Sequence, residues 1–104
     1  MKSFVAVLLG TLAMAQPAFA LGPEAQRGFT FAQTNCSICH AIGPAGDSPL
    51  PLAPPFRTLH EKYPVENLEE ALAEGIVTGH PNMPQFELDI AQVRDLIAYL
   101  KTLE

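Results

Sequence analysis

Near the end of the chain, apolar side chains recur at Ile90, Val93, Leu96, Ile97 and Leu100. That i, i+3, i+6, i+7, i+10 spacing lines one face of a helix. Asp89 stands where it can cap the helix start, and Gln92 three residues on completes a capping-box arrangement. The pattern predicts a helix from Asp89 to near Leu103. A second stripe, Val65, Leu68 and Leu72, predicts another from about Val65 to Glu74, with Gly75 at its C-terminal cap. Its other face carries Glu66, Glu69, Glu70 and Glu74, read as a solvated acidic side. A short helix is expected over Arg57–Lys62. Glu24 to Thr34 reads as a further helix, with Pro23 near its first turn and Glu24 where the helix dipole favours an acid. Gly28 in its middle costs about 1 kcal/mol against alanine, which calls for a second helix crossing closely there. No run alternates as a strand would, and no internal repeat occurs. The chain reads as all-α, three to four helices joined by proline-rich loops.

Two stretches fall outside the helical pattern. The first opens with Lys2, runs apolar from Phe4 to Ala15, and ends at Pro17 and Ala18-Phe19-Ala20. A basic start, a short apolar run and small residues at an A-x-A site are the marks of a secretory leader. A membrane anchor would need about 20 apolar residues, so residues 1–20 are expected to be cleaved and residues 21–104 to form one domain in the periplasm, without a membrane anchor. The second stretch, AIGPAGDSPLPLAPPF, carries Pro44, Pro49, Pro51, Pro54 and Pro55. Neither a helix nor a central strand tolerates such a run, and its shortness argues for an ordered loop rather than a linker.

Composition narrows the options further. Removal of 20 from 104 residues leaves 84, a domain too small to bury much apolar surface without a disulfide, a metal or a cofactor. Lys2 lies in the leader, so the remainder sets five Lys and Arg against eleven Asp and Glu, a formal charge of six negative. That balance disfavours nucleic acid and anionic membrane surfaces as partners.

The chemistry is concentrated in TNCSICHAIG, where Cys36, Cys39 and His40 form the C-x-x-C-H spacing of c-type haem attachment. Two thiols so placed can form thioethers to the two vinyl groups of one porphyrin edge, and the following imidazole can reach the iron. A thioredoxin-like redox pair would need a surrounding βαβ pattern. A structural zinc site would need four ligands, and only His60 and His80 remain, each isolated. A plain disulfide suits an exported protein but gives His40 no role. One covalently bound haem is therefore expected, with the proline-rich loop around its edge. Of Phe29 and Phe31, two apart and unable to share one face, one is expected to pack inward and the other to border the haem.

An electron carrier binds its iron on both faces, whereas oxygen chemistry keeps one face open. Met1 and Met14 lie in the leader, which makes Met83 the single methionine of the remaining chain. It stands in HPNMPQF between two prolines that stiffen the backbone. A lone methionine is usually core filler; beside a haem motif it becomes the expected distal ligand, with His80 the alternative and His60 a surface residue. His/Met ligation raises the reduction potential.

These residues resemble the small class I (mitochondrial-type) monohaem cytochromes c of bacteria. The likeness rests on Gly28 eight residues before Cys36, on Cys36-Ser37-Ile38-Cys39-His40, on Pro54 followed by Phe56, on Met83 shortly before the last helix, and on LIAYLK from Leu96 to Lys101. The resemblance implies the cytochrome c fold, with the first and last helices crossing near Gly28 against Tyr99 and Leu96. It also implies that Pro54 gives its carbonyl to the free ring nitrogen of His40, with Pro55 beside it as the other candidate; such a bond fixes the tautomer and strengthens the ligand. The sequence departs from the pattern at Ala32, where better-known members have an aromatic residue. It has no tryptophan to serve the haem propionates, and it lacks the lysine ring by which well-studied members meet acidic partners; Lys62 and Lys101 lie far apart.

The reading that follows is a periplasmic one-electron carrier and not an enzyme, with Cys36 and Cys39 holding the haem, His40 and Met83 as axial iron ligands, and Pro54 supporting His40. Its partners are expected to be redox proteins, a donor and an acceptor such as a periplasmic dehydrogenase or a terminal oxidase. The competing readings are a dedicated haem subunit of a periplasmic oxidoreductase and, less favoured, a gas-binding or sensory haem protein.

Overall fold

The computed structural model describes residues 2–11, 21–75 and 83–104. The Ala18-Phe19-Ala20 site and His80 lie outside the described residues. Three α-helices are present: α1 (Pro23–Asn35), α2 (Leu68–Glu74) and α3 (Ile90–Lys101). Two 3-10 segments, Phe56–Glu61 and Val65–Asn67, precede α2. No strand occurs among the described residues, in accord with the all-α expectation.

α1 begins with Pro23 in its first turn, where a missing N–H costs nothing. It crosses α3 at Gly28. A Cβ added there would overlap the Asp95 carbonyl and stand 2.8 Å from Tyr99 Cβ, so the backbones approach as closely as glycine alone allows. Ala32, one turn further along α1, is fully buried. The small residue lets α3 close over this position, and the aromatic contribution comes instead from Phe29, whose ring lies 5.4 Å from that of Tyr99. At the solvent edge of the crossing, Arg27 grips Asp95 through two bonds of 2.9 and 3.1 Å. That hydrogen bonding, and secondarily the charge of Asp95, raises the Arg27 guanidinium above its ordinary range.

α3 opens on the expected capping box: the Asp89 side chain accepts from Gln92 N–H at 2.8 Å, and Gln92 Oε1 accepts from Asp89 N–H at 3.2 Å. Val93, Leu96, Ile97 and Leu100 are buried as the stripe predicts. Ile90 is not: it is 72% exposed. The chain enters the helix through an extended Asp89 (φ −71°, ψ 166°), an entry that leaves Leu88 buried and Ile90 on the outside of the first turn. The helix stops at Lys101, two residues before Leu103.

Prolines set the character of the middle of the chain. Pro55 and Pro64 lead into the two 3-10 segments with φ near −58°, and the Pro55 carbonyl accepts both the N–H and the hydroxyl of Thr58, at 3.0 and 2.8 Å. The helix expected over Val65–Glu74 is therefore a 3-10 turn that becomes α-helical only at Leu68. It ends at Gly75 with φ 101°, a conformation that favours glycine. The acidic residues of α2 are exposed as expected; Glu66, just before it, pairs with Lys101 at 2.7 Å.

Candidate functional site

Between α3, the Phe56–Glu61 3-10 segment, α2 and the 41–56 loop lies a cavity of about 680 Å³. The Cys36–His40 turn forms part of its wall. α1 runs directly into that turn: Cys36 N–H and Ser37 N–H both bond to the Ala32 carbonyl, at 2.8 and 3.0 Å, and Cys39 and His40 N–H bond back to the Cys36 carbonyl at 3.2 and 2.9 Å. Asn35 Nδ2 donates to the Phe31 carbonyl at 3.0 Å and so reinforces the helix end. The three side chains of the motif are thus carried by one hydrogen-bonded turn and all face the cavity.

His40 is oriented from a second direction. Its Nδ1 lies 2.8 Å from the Pro54 carbonyl, so Nδ1–H donates and Nε2 is the nitrogen left to act as a ligand. The Pro55 carbonyl is committed to Thr58, which separates the roles of the two neighbouring prolines. Phe56 packs against the imidazole at 5.0 Å between ring centres.

The proline-rich loop is pinned rather than free. Leu50 N–H bonds to the Cys39 carbonyl at 3.1 Å, Phe56 N–H to Ala41 at 2.9 Å, Ala41 N–H to Ser48 Oγ at 3.0 Å, and Arg57 to the Gly46 carbonyl at 2.7 Å. From α3, the Tyr99 hydroxyl donates to the Ile42 carbonyl at 2.5 Å. Leu50, Leu52 and Ala53 of this loop then face the cavity.

Met83 faces the same cavity from a separate segment. Leu88 N–H bonds to the Leu72 carbonyl at 2.9 Å, tying the segment to α2, and Phe86 meets Phe31 edge to face at 6.4 Å. Phe31 borders the cavity while Phe29 packs on Tyr99, the division expected of that pair. His60 is exposed. Sequence pattern did not point to Leu59, Tyr63, Phe86 or Leu88 as cavity residues. For Phe86 and Leu88 the signal was present, as apolar residues at alternate positions after Met83 in an extended segment.

The rival chemistries of the motif fare poorly. Cys36 and Cys39 are separate thiols, and burial pushes the Cys36 thiol up to about 11. A redox-active pair needs the opposite, a nucleophile with a lowered pKa. No group of three or more His, Cys, Asp or Glu able to hold a metal ion occurs among the described residues. An iron porphyrin suits the site on chemical grounds: apolar walls take a large flat apolar ring, and two thiols, an imidazole and a thioether supply attachment and two donors of the kind that haem iron accepts.

Comparison with known proteins agrees. The family model for cytochrome c matches residues 25–104. A cytochrome c-553-like protein of Synechocystis sp. (strain ATCC 27184 / PCC 6803 / Kazusa) is 32% identical over 84 residues, covering 81% of this chain and 73% of that protein. No solved structure matches significantly. With a family match over the whole helical domain and a single C-x-x-C-H turn facing an apolar cavity, the chain belongs to the cytochrome c family, as a small monohaem class I member that carries a covalently bound c-type haem and transfers electrons.

Proposed function

We propose that the protein is a periplasmic one-electron carrier in which Cys36 and Cys39 would hold the haem by thioethers and His40 and Met83 would ligate its iron. The observation that carries this reading is convergence: His40 and Met83, 43 residues apart in sequence, face one cavity together with both cysteines. The haem supplies an iron that alternates between ferric and ferrous states. The chain does the rest. The Pro54 carbonyl holds the Nδ1 proton of His40 and makes Nε2 a better donor. The thioether of Met83 favours the ferrous state and so raises the potential. Leu59, Leu72, Leu96 and Leu100 line the cavity and keep water from the ring, and two fixed ligands keep rearrangement on electron transfer small.

We further propose that residues 1–20 are a secretory leader and residues 21–104 the working domain. Residues 2–11 have no regular secondary structure, and Phe4, Leu8 and Leu9 are at least 87% exposed, so this stretch adds nothing to the core. No helix among the described residues is long and apolar enough to cross a membrane.

The test is the absorption spectrum of the exported protein, oxidised and reduced, with and without carbon monoxide. A c-type spectrum, a sulfur-to-iron charge-transfer band in the oxidised form and no reaction of the reduced form with carbon monoxide are expected. Ready carbon monoxide binding without that band would refute the ligand pair.

A further inference from the structure

The cavity wall is almost wholly apolar, which leaves one feature of a c-type haem without a match: its two propionate carboxylates. A buried or half-buried carboxylate needs donors or a cation. Among the described residues, the polar side chains facing the cavity are Asn35, Cys36, Cys39, His40, Lys62 and Tyr63. Most are already engaged. Asn35 Nδ2 donates to Phe31, and His40 Nδ1 donates to Pro54. The two thiols belong to the attachment turn. Among these residues Lys62 is the one cation, and Tyr63 beside it carries a hydroxyl.

Their position fits the task. Lys62 closes the 3-10 segment Phe56–Glu61, its N–H bonded to the Leu59 carbonyl at 3.1 Å, and Tyr63 N–H bonds to the same carbonyl at 3.3 Å. Both backbones are fixed; Lys62 is exposed, and Tyr63 is half-buried with its ring against the core. The two residues face the cavity and also line an open surface groove with His60, Glu61, Pro64, Glu66 and Glu104, so they stand at the cavity rim, where a carboxylate can be part hydrated and part paired. The groove is acidic, which would repel the propionates. Glu66 is neutralised by Lys101, whereas no ion pair among the described residues includes Lys62. Lys62 is thus the one cation at this rim that can offset a propionate's charge among the described residues.

We propose that Lys62 and Tyr63 are the positioning residues for the haem propionates, Lys62 by charge pairing and Tyr63 by donating its hydroxyl, and that Lys62 thereby raises the reduction potential. The inference rests on the haem being seated as proposed above. A cation near the haem favours the reduced form, because reduction removes one positive charge from the iron and so relieves its repulsion by the cation, which also offsets the propionate charge that stabilises ferric iron.

The test uses the exported holoprotein. Lys62→Gln should lower the midpoint potential at pH 7 and Lys62→Arg should restore it, while Arg94→Gln, at an exposed position outside the groove and the cavity, should leave it unchanged. Tyr63→Phe should lower it by a smaller step. Retention of the oxidised charge-transfer band in each variant separates this result from failure of the ligand assignment, which would remove the band in the wild type itself. A merely structural role for Lys62 would show in thermal stability and leave the potential in place. A second measurement needs no variant: the proton spectrum of the reduced holoprotein should show Overhauser contacts from the propionate methylenes to the Tyr63 ring and the Lys62 ε-methylene. Potentials equal to wild type in Lys62→Gln and Tyr63→Phe, or absence of those contacts, would overturn the proposal.

Discussion

The helix crossing and the haem cavity are built on opposite plans. Where α1 meets α3, protein packs on protein: Gly28 admits the Asp95 backbone, Ala32 is sealed, Phe29 lies on Tyr99 and Arg27 closes the edge on Asp95. On the cavity side, Leu59, Leu72, Leu96 and Leu100 turn apolar surface toward a space of about 680 Å³, and the backbone is held by single hydrogen bonds from loop to loop. The crossing carries its own stabilisation. The cavity half draws its stabilisation from the haem, as a domain of this size must draw it from somewhere. α3 belongs to both regions, with Tyr99 facing the crossing and Leu96 and Leu100 facing the cavity. It is the element through which haem seating and helix packing stabilise each other.

The largest break in this contrast comes from preventing attachment. In a Cys36→Ala/Cys39→Ala variant, amide exchange should be fast throughout residues 41–75, with residual protection confined to α1 and α3; protection retained in the loop and α2 would show that the cavity half is self-sufficient. A smaller effect is expected at the crossing. Gly28→Ala places a methyl on the Asp95 carbonyl, and backbone displacement of this kind costs about 1–3 kcal/mol. Chemical denaturation of the holoprotein should show that loss with the c-type spectrum intact, and an unchanged midpoint would mean that α1 and α3 can separate freely.

The smallest expected effect links the two halves by pH. Burial raises the Tyr99 phenol above its ordinary value, so the folded state favours the neutral form that donates to Ile42. Its contribution to stability is complete below the unfolded pKa of about 10 and is lost as pH rises through the higher folded value. Tyr99→Phe should remove this part of the alkaline loss; an identical alkaline profile in that variant would show that the phenol does not titrate into the fold.

The two regions were also unequally legible in the sequence. The crossing announces itself: a glycine in mid-helix, an apolar stripe at helical spacing and a capping box are local signals, and each has one structural solution. Ile90 was misplaced because periodicity alone does not report where a helix begins to be covered. Val65–Asn67 was read as α-helix because its stripe is helical, although Pro64 sets a 3-10 entry. The cavity half is harder to read. The motif and the lone Met83 were visible, and the family resemblance implied a supporting carbonyl at Pro54 or Pro55. The choice between the two prolines depends on the Thr58 hydroxyl claiming Pro55. Leu59 and Tyr63 reach the cavity from a 3-10 segment and the turn after it, which no helical or strand period encodes.

Met83→Ala in the holoprotein, followed by its midpoint potential and its reaction with carbon monoxide, tests the proposed ligation of the iron by Met83. A lowered potential, loss of the sulfur-to-iron band and carbon monoxide binding by the reduced form are expected, with the haem still covalently attached. Unchanged potential, band and carbon monoxide resistance would contradict it and point to His80 as the distal ligand.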